Sequence, residues 1–403
     1  MTSALHVSLT STLRRPPGSP AQPLLDPQGP RVCMGGTRGG DGLAVPIAPS
    51  ATTLFGPRAA CLVARDGPLW VSDTGHHRLL GWRRAPLTDD DPADWVIGQP
   101  DVTHEGRNAK GAPGAATLNV PTGVCACGAG LAVADAWNHR VLIWKELPTQ
   151  SHTPADIVLG QDDFANIAAN RGAEAPDADT LFWPYGVYWD GARLWVADSG
   201  NRRVLMWRGV PERNGQAADG VLGQSDMRRR DENGGGDPSA ASMRWPHAVT
   251  LWRGRLAVAD AGNNRIMVWN ASPGGNNPPC DFVLGQNDFY QVDHNQSLYW
   301  PGAATLNMPY GLGAAGEWLL AADTANSRLL GWRAQDGATG AAARALTGQP
   351  DFMAKGDNRW QMPARDSLCW PYGVSHCDGW VVVADSGNNR VLLWRLADFG
   401  MRV

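Results

Sequence analysis

The chain has 403 residues and a net charge of −4, a balance that gives no reason to expect nucleic acid or an anionic membrane as partner. No run approaches 18 apolar residues, so nothing reads as a membrane-spanning helix. The 48 Gly and 30 Pro suit many short strands joined by turns, and the seven Cys, an odd number without an even framework, favour a reducing cytoplasm.

In chain order, "MTSALHVSLTSTLRRPPGSP" lacks a cationic start followed by an apolar core, so it does not read as a secretory signal. It is rich in Ser and Thr, carries Arg14 and Arg15, and has no acid before Asp26. That faintly resembles an organelle transit peptide, but residues 1–30 are read as a flexible arm. Residues 31–403 then form one domain dominated by a repeat.

Its core appears as "DTGHHRLLGW" from Asp73, "DAWNHRVLIW" from Asp135, "DSGNRRVLMW" from Asp198, "DAGNNRIMVW" from Asp260, "DTANSRLLGW" from Asp323 and "DSGNNRVLLW" from Asp385. The Asp-to-Asp steps are 62, 63, 62, 63 and 62 residues. So regular a period means stacked copies of one supersecondary unit, each too small to bury its own apolar face. Five cores are followed by an apolar run ending in Gly-Gln, such as "VLGQSD", and then by a Pro opening another short run, such as "WPYGV".

One unit shows the strand pattern. "YGVYWDG", "RLWVAD", "RRVLMW" and "DGVLGQ", between residues 184 and 224, are four short runs separated by turn signals, and helical spacing is not sustained. Four antiparallel strands in each of six units predict an all-β, six-bladed β-propeller. The sixth core has no Gly-Gln run after it, because nine residues follow Trp394. "RVCMGG", Arg31 to Gly36, lies 21 residues before Pro57, with Gly36 standing where Gln is expected. Residues 31–35 are therefore predicted to complete the last blade beside residues 389–395, removing two open edges.

Each core pairs an Asp with an Arg five residues later: Asp73 with Arg78, Asp135 with Arg140, Asp198 with Arg203, Asp260 with Arg265, Asp323 with Arg328 and Asp385 with Arg390. These read as structural clamps, the Asp accepting from N–H groups of its turn and the Arg fork pairing with a carboxylate or with carbonyls at the blade boundary. Six equivalent catalytic acids would serve no reaction. The Trp ending each core (Trp82, Trp144, Trp207, Trp269, Trp332, Trp394) reads as packing between blades. In the inter-blade loops, Asp101/Asn108, Asp163/Asn170, Asp226/Asn233, Asp288/Asn295 and Asp351/Asn358 share one spacing and read as loop self-capping. The cluster Arg228-Arg229-Arg230 beside Asp231 and Glu232 reads as a solvated loop.

After the Pro that opens each inner strand comes a residue that differs between blades: Arg58, Thr122, Tyr185, His247, Tyr310 and Tyr372. These six are expected to ring the channel mouth. They could bind an anionic or aromatic group, or simply pack the channel with polar tips in water. Three convergent His are not visible, since His376 lies four residues beyond the ring position of its strand, so no metal and no cofactor are expected. Cys61 and Cys125 are equivalent, as are Cys127 and Cys377; a thiolate site is conceivable, and buried inert thiols are the preferred reading.

The sequences "VADAWNHRVLIW", "VADSGNRRVLMW" and "VADSGNNRVLLW" resemble the NHL-repeat family of β-propellers, and the long repeat looks like a bacterial branch of it. The resemblance covers about residues 30–395 and implies a six-bladed propeller. It leaves function open, because such propellers include scaffolds, lyases and hydrolases. The expectation is a non-catalytic, monomeric, cytoplasmic scaffold. It would bind another protein or a peptide through the face carrying the long inter-blade loops, without nucleic acid or membrane. The alternative is a lyase or hydrolase at the channel mouth.

Overall fold

The computed structural model describes residues 18, 20–35 and 47–397. Twenty-four strands build six blades around a central channel, and one further short strand is added outside blade five. From the channel outward, blade one is Ala59–Leu62, Leu69–Asp73, Arg78–Trp82 and Trp95–Ile97. Blade two is Pro121–Cys127, Gly130–Asp135, Arg140–Trp144 and Ile157–Leu159. Blade three is Pro184–Trp189, Arg193–Asp198, Arg203–Arg208 and Gly220–Leu222. Blade four is Pro246–Trp252, Arg255–Asp260, Arg265–Trp269 and Phe282–Leu284. Blade five is Pro309–Ala315, Trp318–Asp323, Arg328–Arg333 and Ala345–Thr347.

Blade six is Pro371–Cys377, Trp380–Asp385 and Arg390–Arg395, completed by Val32–Gly35. That last strand runs antiparallel, with Val32 opposite Leu393 and Gly35 opposite Arg390. The closure expected from the Gln-to-Pro spacing is therefore present; Gly36 lies outside the described residues. The Trp at the end of each core shows the same substitution of chain. In blades one to five its Nε1 donates to a carbonyl nine residues downstream, as Trp144 does to Thr153. In blade six Trp394 donates instead to Asp26 of the leading segment, at 2.8 Å.

Of the segment expected as an arm, residues 20–30 pack on the ring. Gln22–Pro23 pairs in parallel with Ala345 and Leu346, making blade five five-stranded. Leu24 and Leu25 are buried in the cluster between blades five and six. Residues 1–17 lie outside the described residues.

The two faces of every blade are covered by its two neighbours, which explains why the middle strands read as nearly continuous apolar runs. Six apolar clusters fill the six boundaries, each holding one repeated Trp: Trp144 packs with Leu79 and Ile97 of blade one, for example. The inner strands also approach closely. A Cβ on Gly186 would lie 2.2 Å from the His247 carbonyl oxygen, and one on Gly373 2.5 Å from that of Arg58. This is why Gly follows the ring residue in four blades; blades one and four carry Ala59 and Ala248 there. Among the described residues, no helix is long and apolar enough to cross a membrane.

Candidate functional site

The core turn is a short 3-10 element from residue two to residue four of the motif. A residue in the left-handed region follows it: His77, His139, Arg202, Asn264, Ser327 or Asn389, with φ between 52° and 57°. The six Asp–Arg pairs are fully or almost fully buried. Taking blade two, Asp135 Oδ2 accepts from Arg140 Nε and Asn138 Nδ2, each at 2.8 Å. The expected capping of the turn's own N–H groups is not what the structure shows. Oδ1 reaches instead to the main chain that leads into the same blade's inner strand, accepting from Asn119 N at 2.6 Å. The same contact runs from Phe55, Phe182, Arg244, Asn307 and Cys369 to their own Asp. In the same turn Trp137 N donates to the Asn119 carbonyl and His139 N to that of Ala136, so carboxylate and turn together tie the hairpin to the chain entering the strand beside the channel. The Arg140 fork reaches outward, donating to the carbonyls of Phe164, Gly114 and Thr117 in the long loops.

The loop Asp residues cap their own loops: Asp163 accepts from Ala165 N and Asn166 N, and Asp288 from Tyr290 N and Gln291 N. Their Asn partners do something else. Asn108, Asn170, Asn233, Asn295 and Asn358 bond across the blade boundary to the core Asn residues Asn138, Asn201, Asn263, Asn326 and Asn388. Blade one has His76 in place of that Asn. Its Nδ1 lies 2.7 Å from Asp73, its Nε2 2.7 Å from the Ile47 carbonyl.

A further pattern was not seen in the sequence. The residue before each inner-strand Pro is in the left-handed region in five blades: Gly56, Val120, Trp183, Met308 and Trp370, with φ between 49° and 56°. That conformation is strained for a side chain other than Gly. In each case its N–H donates to the side chain of the left-handed residue in the neighbouring turn: Asn389, His77, His139, Asn264 or Ser327. The exception is Trp245. Its neighbour is Arg202, which has no acceptor, and Trp245 N turns to Asp260 Oδ1 at 3.3 Å without adopting positive φ. The presence of an acceptor in one blade therefore sets the backbone of the next. Three of these positions are Trp183, Trp245 and Trp370, 42%, 40% and 46% exposed on the long-loop face.

His139 makes this arrangement sensitive to acid. Its Nδ1 must be unprotonated to accept from Trp183, and burial pulls its pKa down from 6.5 to about 4. The native state thus binds fewer protons here than the unfolded chain. The stability contributed is complete above pH 6.5 and is lost as pH falls through about 4. His139→Asn keeps an acceptor without the titration. By denaturant unfolding it should lose about 2–3 kcal/mol less than wild type between pH 7 and pH 4. Equal losses would refute the assignment.

The six channel residues are brought together as a nearly continuous stack. Ring centroids are 4.8 Å apart for Tyr185 and His247, 4.3 Å for His247 and Tyr310, and 4.4 Å for Tyr310 and Tyr372. Arg58 closes the circle, its Cζ 4.6 Å from the Tyr372 ring and 5.6 Å from that of Tyr185. It thereby spans the position of Thr122, whose short side chain is buried and donates to the Tyr185 carbonyl at 2.8 Å. Below the stack the channel encloses about 310 Å³. Burial, with Arg58 adding to it, lowers the His247 pKa to about 4, and burial raises the Tyr310 and Tyr372 hydroxyls. His247 Nδ1 lies 3.0 Å from the Trp245 carbonyl, while His376 Nε2 accepts from Gly379 N in its own turn; the two do not converge. Cys61 and Cys125 line the channel, and burial raises Cys61 to about 11 and Cys125 well above its ordinary value, so both are protonated at neutral pH. Among the described residues no group of three or more His, Cys, Asp or Glu could hold a metal.

Fold and site together define a six-bladed β-propeller whose channel is capped on the long-loop face by a cation–aromatic stack. No family model matches the chain, and no curated protein matches it. Similar solved structures include Kuenenia stuttgartiensis hydrazine synthase, at 14% identity over 88% of this chain and 99% of that one with a TM-score of 0.46. Streptogramin B lyase is similar at 12% identity, 88% and 96% coverage and TM-score 0.43; the WD40 β-propeller domain of Doa1 at 10%, 91% and 96%, and 0.47. Such identities and scores transfer no activity to this chain.

Proposed function

We propose that this chain is an NHL-type propeller acting as a non-catalytic scaffold that binds another protein, or a peptide from one, on its long-loop face. The observation that carries the reading is the set of three exposed indoles, Trp183, Trp245 and Trp370, each two residues before a channel-ring residue. Trp183 and Trp370 are held there in a strained conformation by a bond from their own N–H to a side chain of the preceding blade. Large aromatic surface left in water is unfavourable unless a partner covers it, and Trp is a common anchor of interfaces. The adjoining loops add Trp360, 74% exposed, with Leu298, Tyr299 and Met362. The NHL reading draws support from the Asp, Asn and Arg of the core motif, which share one network in each of blades two to six.

Peptides selected from a displayed random library on the folded protein test the proposal. They should bind wild type, and the triple variant Trp183→Ser, Trp245→Ser, Trp370→Ser should bind them at least about 100-fold more weakly with its melting temperature nearly unchanged. Selection of no binder, or equal binding by the variant, would count against it.

A further inference from the structure

The channel wall is electrostatically one-sided. Among the described residues lining the cavity, none is Asp, Glu or Lys, and Arg58 is the one with a fixed charge. Burial keeps His247 and His376 in their neutral forms at neutral pH. Arg58 Nη1 is buried and has no hydrogen-bond partner. Stacking on Tyr372 and Tyr185 offsets part of the cost of a half-buried guanidinium, but it leaves a planar fork of donors unused. A cation without a counter-charge in a poorly solvated channel is stabilised most by an anion entering beside it.

We infer that the channel is a binding site for a carboxylate, drawn to the edge of the Arg58 guanidinium that stacks between Tyr372 and Tyr185. A carboxylate matches the guanidinium fork in plane, as a round halide does not. The volume of about 310 Å³ is at the small end of ligand cavities, which limits the occupant to a small organic acid or the end of a peptide. The site is separate from the rim indoles, which do not line the cavity.

Calorimetry and thermal shift with benzoate, acetate, benzamide, phosphate and chloride, together with a tetrapeptide bearing a free or an amidated C-terminus, test the inference on the full chain. Benzoate or the free-carboxyl peptide should bind saturably, and the amide counterpart at least 10-fold more weakly. Arg58→Met should weaken that binding at least 10-fold, and Arg58→Lys less. Binding of benzoate identifies a free acid as the source; binding of the free-carboxyl peptide alone identifies a partner's chain end. The melting temperatures of the Arg58 variants, read in the same thermal shifts, show whether each variant is folded. Equal shifts from phosphate or chloride, no carboxylate binding at 10 mM, or unchanged binding by folded Arg58→Met would overturn the inference. The triple indole variant should retain carboxylate binding, so that failure of the rim and failure of the channel are read separately.

Discussion

A chain lacking residues 1–35 is expected to lose the cooperative unfolding of the ring and to aggregate. The truncation takes away the outer strand of blade six and the extra strand of blade five at once. It removes Leu24, Leu25, Val32 and Met34, all buried, each contributing about 1.5–3 kcal/mol by area. The sum of roughly 6–12 kcal/mol is comparable with the whole stability of a typical domain. It also exposes the backbone edge of Arg390–Arg395 and strips the Trp394 indole of its acceptor on Asp26. A synthetic peptide spanning residues 18–36 should restore a cooperative melt when added in excess. A truncated chain that melts as wild type does would show that the ring closes without its leading segment.

The second large effect is expected at the clamps. Asp198→Ala should destabilise by about 3–5 kcal/mol, because it leaves the fully buried Arg203 without its counter-charge. The same change strips Phe182 N of its acceptor and Asn201 Nδ2 of one of its two. Arg203 keeps its bonds to the carbonyls of Met227, Asp177 and Thr180, so the ring should hold together while melting earlier. The double variant Asp198→Leu, Arg203→Met should be less destabilised than Asp198→Ala alone, since no charge is then stranded. Denaturant titrations of the two variants check this. A double variant as destabilised as Asp198→Ala, or an Asp198→Ala chain within about 0.5 kcal/mol of wild type, would mean that the pair contributes little.

The architecture was legible because it repeats. A 62- or 63-residue step, carried by six Asp–Arg cores, leaves little but a closed stack, and the missing last strand could be sought at a known distance from Pro57. The channel ring was legible for the opposite reason: Arg58, Thr122, Tyr185, His247, Tyr310 and Tyr372 vary where their flanks do not. Reading the positions did not reveal that Arg58 would reach past Thr122 to Tyr185, because that depends on the length of one side chain against the shortness of another. The docking of Gln22–Pro23 was invisible, since two residues in parallel pairing carry no periodic pattern. The rim indoles were missed because their conformation is decided by a side chain some 44 residues earlier, as His139 decides for Trp183. The alternation of acceptors (His77, His139, Asn264, Ser327, Asn389) with the single Arg202 was nevertheless present in the sequence as a signal. The clamp Asp was assigned the wrong donors for a related reason: the N–H it accepts from belongs to residues such as Asn119, 16 positions earlier, and not to its own turn.

Hydrogen exchange read by mass spectrometry tests most directly that the leading segment is a structural strand of the last blade. The amides of residues 32–35 should be protected as strongly as those of Gly220–Leu222, the outer strand of blade three, and should open together with Arg390–Arg395. Exchange of residues 32–35 at the rate of an unstructured peptide, while residues 390–395 stay protected, would contradict the closed ring.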